Sequence, residues 1–125
     1  MVTDPGLIAI IEGDKALSTA LARVLRVSGF ATAVYTLAED FLVSPPPLRA
    51  RCVVADVELS GMSGIDLQRR LAALASALPV ILVGNFDDVS LREEAEQSGC
   101  FACVDASDDI QVLLDLIHRL PQPQA

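Results

Sequence analysis

Positive charge is what this chain has least of. Lysine occurs once, at Lys15, and nine basic residues stand against seventeen acidic ones, for a formal net charge of −8. Such a surface repels phosphate backbones, and no basic cluster offsets it, so nucleic acid is excluded as a direct partner of this chain. No apolar run approaches the roughly 20 residues needed to span a bilayer, so no membrane segment is expected. The stretch Met1 to Gly6 lacks the basic start, long apolar run and small-residue cleavage site of a secretory signal, and a cytoplasmic location is expected. A glycine-rich phosphate loop, a nucleophile–base pair and a clustered metal-ligand set are all missing, so the chain is expected not to be an enzyme.

Cysteine is scarce and odd in number, with Cys52, Cys100 and Cys103, and disulfides are not expected in a cytosolic setting. Cys100-Phe-Ala-Cys103 spells C-x-x-C, a redox or zinc half-site elsewhere. A closed zinc site needs two more ligands, and the only histidine is His118. The redox version opens a helix after a strand, whereas this one leads into a strand. Free cysteine is among the most buried residue types, which favours small hydrophobes in a core. A thiol-based signal at Cys103 is the competing reading.

Hydrophobic residues, by contrast, make up 52% of the chain, which excludes disorder for its body. Its 125 residues suit one domain, at about 100–200 residues per domain. Leu7 to Ile11 is a short continuous apolar run suited to a strand buried on both faces. Leu17, Leu21, Val24 and Leu25 then recur at helical spacing up to Ser28-Gly29. Ala31 to Tyr35 predicts a second strand and Leu37 to Leu42 a short helix, stopped by Pro45 to Pro47. Cys52 to Ala55 is a third strand, ended by Asp56. A helix follows with Ile65, Leu67, Leu71, Leu74 and Leu78 largely inward. Pro79 to Val83 is the fourth strand, and Val89 to Ser98 an acidic helix closed by Gly99. Phe101 to Val104 and Ile110 to Leu120 complete the pattern, with Ser107 or Asp108 as the last helix's N-cap. Residues 1–120 thus read as one domain, and 121–125, rich in proline and glutamine, as a tail or the start of a linker.

A βα unit repeated five times implies an α/β fold: a doubly wound, five-stranded parallel sheet in a three-layer sandwich. Ligands of such sheets sit outside the carboxyl ends of the strands. That geometry singles out Glu12, Gly13 and Asp14; Asp56; Gly84 and Asn85; Asp105 and Ala106.

Glu12-Gly13-Asp14 after the first strand resembles the acidic pocket of two-component response-regulator receiver domains. Asp56-Val-Glu-Leu59-Ser-Gly-Met62-Ser-Gly64 resembles their phosphorylation loop, with Ser60 where the family has proline. Pro79 to Val83 and Ser98-Gly99 also fall in register, and the resemblance spans about residues 6 to 120. Ala38 to Leu42 further resembles receivers that head LuxR-type transcription factors. The resemblance implies a flavodoxin-like fold, a place in two-component phosphorelay signalling, and phosphoryl transfer from a sensor histidine kinase to Asp56. It also implies Mg²⁺ held by Glu12 and Asp56 to neutralise the transferring group.

Four of six functional positions implied by the resemblance are emptied. Gly13 stands for the second acid, Gly84 for the hydroxyl after the fourth strand, Cys103 for the aromatic switch, and Ala106 for the lysine after the fifth strand. Mg²⁺ demands near-octahedral oxygen coordination and binds weakly or not at all when few carboxylates contribute. Without a lysine, Glu12 and Asp56 lack charge compensation. A phosphoryl group without differential contacts cannot shift a conformational balance. Asp14, Glu58 and Lys15 are conceivable rescues, though a helix cap and solvated charges account for them more simply. The chain is therefore expected to be an atypical receiver, a largely phosphorylation-independent interaction module. The alternative is a phospho-accepting receiver with weak Mg²⁺ chemistry. The expected partners are a kinase or output protein, or a second copy through the fourth helix, fifth strand and fifth helix. That face would include Leu91, Phe101, Ile110, Leu113 and Ile117, some of them core instead.

Overall fold

A computed structural model describes residues 6–44 and 50–120. Its elements alternate as β1 (Leu7–Ile11), α1 (Lys15–Val27), β2 (Ala31–Tyr35), α2 (Ala38–Val43), β3 (Ala50–Asp56), α3 (Gly64–Ala73), β4 (Val80–Gly84), α4 (Val89–Gln97), β5 (Ala102–Asp105) and α5 (Ile110–Arg119). The strands pair in parallel in the order β2-β1-β3-β4-β5. Strand order reverses at β1, which places a crevice between the carboxyl ends of β1 and β3.

The strands are continuously apolar because both sheet faces are covered. Alternate residues divide between two cores. Ile8, Ile10, Cys52, Val54 and Ile81 pack with Ala22 and Leu25 of α1 and Leu113, Leu114 and Ile117 of α5. Ala9, Ile11, Val53, Ala55 and Leu82 pack with Phe41 of α2, Ile65, Leu67 and Leu71 of α3 and Ala95 of α4. Two helices on one face and three on the other give the expected sandwich.

Three local expectations are corrected. The helix after Asp56 stops at Ala73 instead of running to Leu78, because Ala75 turns left-handed (φ 56°). Its amide bonds back to the Ala72 carbonyl at 3.0 Å, and Leu74 is exposed rather than inward. The cap of α5 is Asp109, whose Oδ1 accepts the Gln111 amide at 2.9 Å, not Ser107 or Asp108. Phe101 precedes β5 and is exposed, so it contributes little to the core. Of the face expected for a partner, Leu113 and Ile117 are buried core, while Phe101 and Ile110 are exposed. The proline stop at 45–47 and the tail at 121–125 lie outside the described residues.

Candidate acidic site at the sheet edge

Three strands bring acids to the site, β1 and β3 as neighbours and β5 one strand further along, beyond β4. Glu12 follows β1, Asp56 closes β3 and Asp105 closes β5. The register sets Ile11 beside Ala55, Asp56 beside Val83, and Gly84 beside Asp105. Side chains alternate along a strand, so Glu12 and Asp56 share the face of Ile10 and Val54, toward α1 and α5.

Glu12 and Asp56 are both half-buried at neighbouring strand ends, where their carboxyls act on each other. Burial pushes the Glu12 carboxyl up to about 8, reinforced by the hydrogen bond and the charge of Asp56, while a backbone hydrogen bond at Asp14 opposes the shift. At neutral pH Glu12 therefore keeps its proton, and the two carboxyls form a singly charged acid–carboxylate pair. Asp56 Oδ1 also accepts the Glu58 amide at 2.9 Å, which folds the following loop back over it. Gly64 then brings α3 up to the strand end: a Cβ there would collide with the Asp56 carbonyl.

The emptied positions have distinct surroundings. A Cβ on Gly13 would meet only the Thr36 carbonyl, at 4.0 Å, so this position is open. A Cβ on Gly84 would collide with Cγ2 of Val57, so a hydroxyl residue fits only if Val57 shifts. Ala106 is exposed, and its amide donates to the Gly84 carbonyl at 2.8 Å. Ser107 turns back instead, donating its amide (3.0 Å) and hydroxyl (2.8 Å) to Asp105 Oδ1. The Ser107 amide, its hydroxyl and the Phe86 amide hold the Asp105 carboxyl below the usual carboxylate range.

Cys103 lies half-buried on β5, with its Sγ 3.6 Å from that of Cys100. Burial first, then the neighbouring thiol, pushes Cys103 up to about 12. Cys52 is fully buried, as expected for a core residue, and all three cysteines are free. Cys100 and Cys103 pack on the edge of the core without being enclosed by it.

The donor set does not fit Mg²⁺. Glu12 and Asp56 are two carboxyls only, Gly13 offers no oxygen from a side chain, and Asp14 Oδ1 caps α1 by accepting the amides of Ala16 (2.9 Å) and Leu17 (3.2 Å). Among the described residues no group of three or more histidines, cysteines or carboxylates is placed to hold a metal ion. Of the other conceivable rescues, Lys15 and Glu58 are exposed. Sequence reasoning missed Val57 as the occupant of the space beside Gly84, and Leu17 and Ile110 as walls of the cavity beneath the site. Strand register, not local sequence, brings these residues together.

A family model described as the response regulator receiver domain matches residues 8–118. The chain is 30% identical over 127 residues to the transcriptional regulatory protein FixJ of Bradyrhizobium diazoefficiens, covering 99% of this chain and 62% of that protein. It is 37% identical over 90 residues to FixJ of Azorhizobium caulinodans, covering 72% of this chain and 43% of that protein. The crystal structure titled FixJ-N superposes with a TM-score of 0.83 at 28% identity, covering 95% of this chain and 94% of that one. The likeness to FixJ bears out the expected resemblance to receivers of LuxR-type regulators. The chain spans about half to two thirds of the length of these curated relatives. No helix among the described residues is long and apolar enough to cross a membrane.

Proposed function

The chain belongs to the response regulator receiver domains, and on that premise we propose that it serves two-component signalling chiefly as a protein-interaction module whose docking does not depend on phosphate at Asp56. The observation that carries this reading is that Gly13, Gly84 and Ala106, placed around Asp56 at the strand ends, bring no acid, hydroxyl or cation to it. Gly13 brings no second carboxylate to a cation, and Ala106 brings no positive charge to a phosphoryl group. The Gly84 position supplies no hydroxyl, and Val57 stands where one would need to enter. Cys103 replaces the side chain that would report the event, and two states that phosphate contacts equally are not shifted by it.

A second reading, a phospho-accepting receiver served by a sensor histidine kinase, is favoured by one observation. The loop after Asp56 keeps its turn and the close approach of Gly64, so the acceptor carboxyl stands at a formed strand end. In either reading residues 1–120 make up the receiver and 121–125 a tail or the start of a linker, in a cytoplasmic protein that performs no catalysis of its own. Docking engages the α4–β5–α5 face through the exposed Phe101 and Ile110 with the half-buried Leu91. The occupant is a partner protein or a second copy.

Sedimentation velocity into the high micromolar range tests this, run with and without a small-molecule phosphodonor and Mg²⁺. The expected result is the same self-association in both conditions, unchanged by Asp56→Asn and weakened by Phe101→Glu. A dimer that requires the phosphodonor contradicts the proposal, and a monomer throughout contradicts a second copy as the occupant.

A further inference from the structure

Cys100 and Cys103 hold their sulfur atoms 3.6 Å apart, and both thiols are free. Spacing alone does not produce this contact. Residues three apart in a straight strand stand roughly 10 Å from each other and point to opposite faces. Here α4 gives way to Gly99 at φ 90°, the chain bends at Phe101, and β5 begins only at Ala102. The Phe101 amide donates to the Val80 carbonyl at 2.8 Å, which pins the bend to the sheet. Both cysteines then pack against the core that contains Leu82 and Ala95. Each is only half-buried, so solvent reaches the pair. Cys52, by contrast, is fully buried in the opposite core.

The two thiols are not equivalent. Cys100 donates its one proton to the Ala95 carbonyl at 3.3 Å, so the Cys103 thiol is the donor in the contact between them. Burial, then that hydrogen bond and the charge of Cys100, push Cys103 up to about 12. A thiol held protonated is a poor nucleophile, which leaves Cys100 to react first. We propose that Cys100 and Cys103 form a thiol–disulfide couple, closed by exchange with a small-molecule disulfide and reopened by a small-molecule thiol. In the first step Cys100 gives its proton to solvent and its sulfur attacks one sulfur of the small disulfide. A mixed disulfide forms on Cys100, and the other half leaves and takes up a proton as a free thiol. In the second step Cys103 loses its proton and attacks Cys100 Sγ, expelling the second small thiol. The cysteine pair loses two electrons and two protons in all, and the small disulfide gains them as two thiols. The mixed disulfide removes the Cys100 charge from beside Cys103, so burial is then the main opposition to the second step.

A disulfide bond is about 2.0 Å long, so closure moves the sulfurs by roughly 1.5 Å. It takes the thiol proton away from the Ala95 carbonyl and draws in the turn that carries the exposed Phe101. So short a ring constrains the unfolded chain little, which keeps the couple easily reduced. That is the behaviour of the transient disulfides found in reducing compartments. The inference stands whatever docks at Phe101 and whether or not Asp56 accepts phosphate.

Oxidised glutathione is the probe, incubated with the reduced, folded chain, after which remaining thiols are alkylated and the protein is weighed intact and mapped by peptide. The expected product is a monomer lighter by two hydrogens, unalkylated at Cys100 and Cys103, and restored by reduced glutathione. Its amide NMR shifts from the reduced form centre on residues 98–104 and the end of α4. Cys103→Ser is expected to stop at a glutathione adduct on Cys100. Cys100→Ser is expected to react about tenfold or more slowly, because the remaining thiol keeps its proton. Circular dichroism checks the fold of each variant, and Cys100→Ala and Cys103→Ala repeat both measurements where serine disturbs it. Stable glutathione adducts on the unsubstituted chain, a disulfide that includes Cys52 or a second chain, closure only after unfolding, or unslowed reaction of folded Cys100→Ser would overturn the proposal.

Discussion

Glu12 ionises against burial and against the carboxylate beside it, and the fold prefers its protonated form. Its pKa is higher folded than unfolded, so the stabilisation it confers is complete below about 4.5 and is lost as pH rises toward about 8. Urea denaturation at successive pH values is therefore expected to show stability falling from pH 5 to 8. Glu12→Gln, which keeps the hydrogen bond without the proton equilibrium, is expected to flatten that decline, and an unchanged slope would contradict the assignment. Gly13 offers the converse experiment. Its surroundings leave room for a side chain, so Gly13→Asp is expected to fold and to raise Mg²⁺ affinity about tenfold by adding a carboxylate. Isothermal titration compares the two proteins directly. At this scale Glu12, Asp56 and the small residues at 13, 84 and 106 were all legible in the sequence. The pairing of Glu12 with a carboxyl 44 positions away, which raises its pKa, was not, nor was the methyl of Val57 against Gly84. Both arise from β3 lying between β1 and β4, which local patterning does not encode.

Element positions followed from periodicity because the strands are apolar throughout and the helices are not. Helix ends were harder to read, since a cap is decided by one backbone torsion and one side-chain bond. Ser107 and Asp108 both have capping chemistry, yet Ser107 bonds Asp105 and Asp108 Oδ2 accepts the Asp105 amide at 3.2 Å, which leaves Asp109 to cap α5. The end of α3 is the clearer case. Leu74 and Leu78 continue the apolar spacing, but the chain leaves the helix through Ala75 at φ 56°, a conformation that costs an L-residue about 1–2 kcal/mol. Glycine adopts it freely, with part of the gain offset by its greater freedom when unfolded. Ala75→Gly is expected to stabilise the domain by about 0.5–1 kcal/mol, raising Tm by about 2–6 °C in a thermal melt. A lower Tm would mean that the left-handed turn is absent.

Across the whole molecule, the receiver architecture rests on its two cores. The two cores are built from strand faces and helix stripes, and the exposed Gly13 and Ala106 take no part in them. Arg51, buried at the opposite end of β3, donates Nη2 to the Leu120 carbonyl at 2.9 Å and lies over the Phe30 ring, tying the end of α5 to the sheet. Fold class was legible because it rests on this distributed pattern. Function was less so, because it rests on a handful of side chains whose interactions cross the sheet. The central claim is that Asp56 does not drive a conformational change through phosphate. Amide NMR shifts recorded with Mg²⁺ and beryllofluoride, beside an Asp56→Asn control, test it most directly. The predicted result is a spectrum that beryllofluoride leaves unchanged. Asp56-dependent shifts reaching α4 and β5 would contradict it.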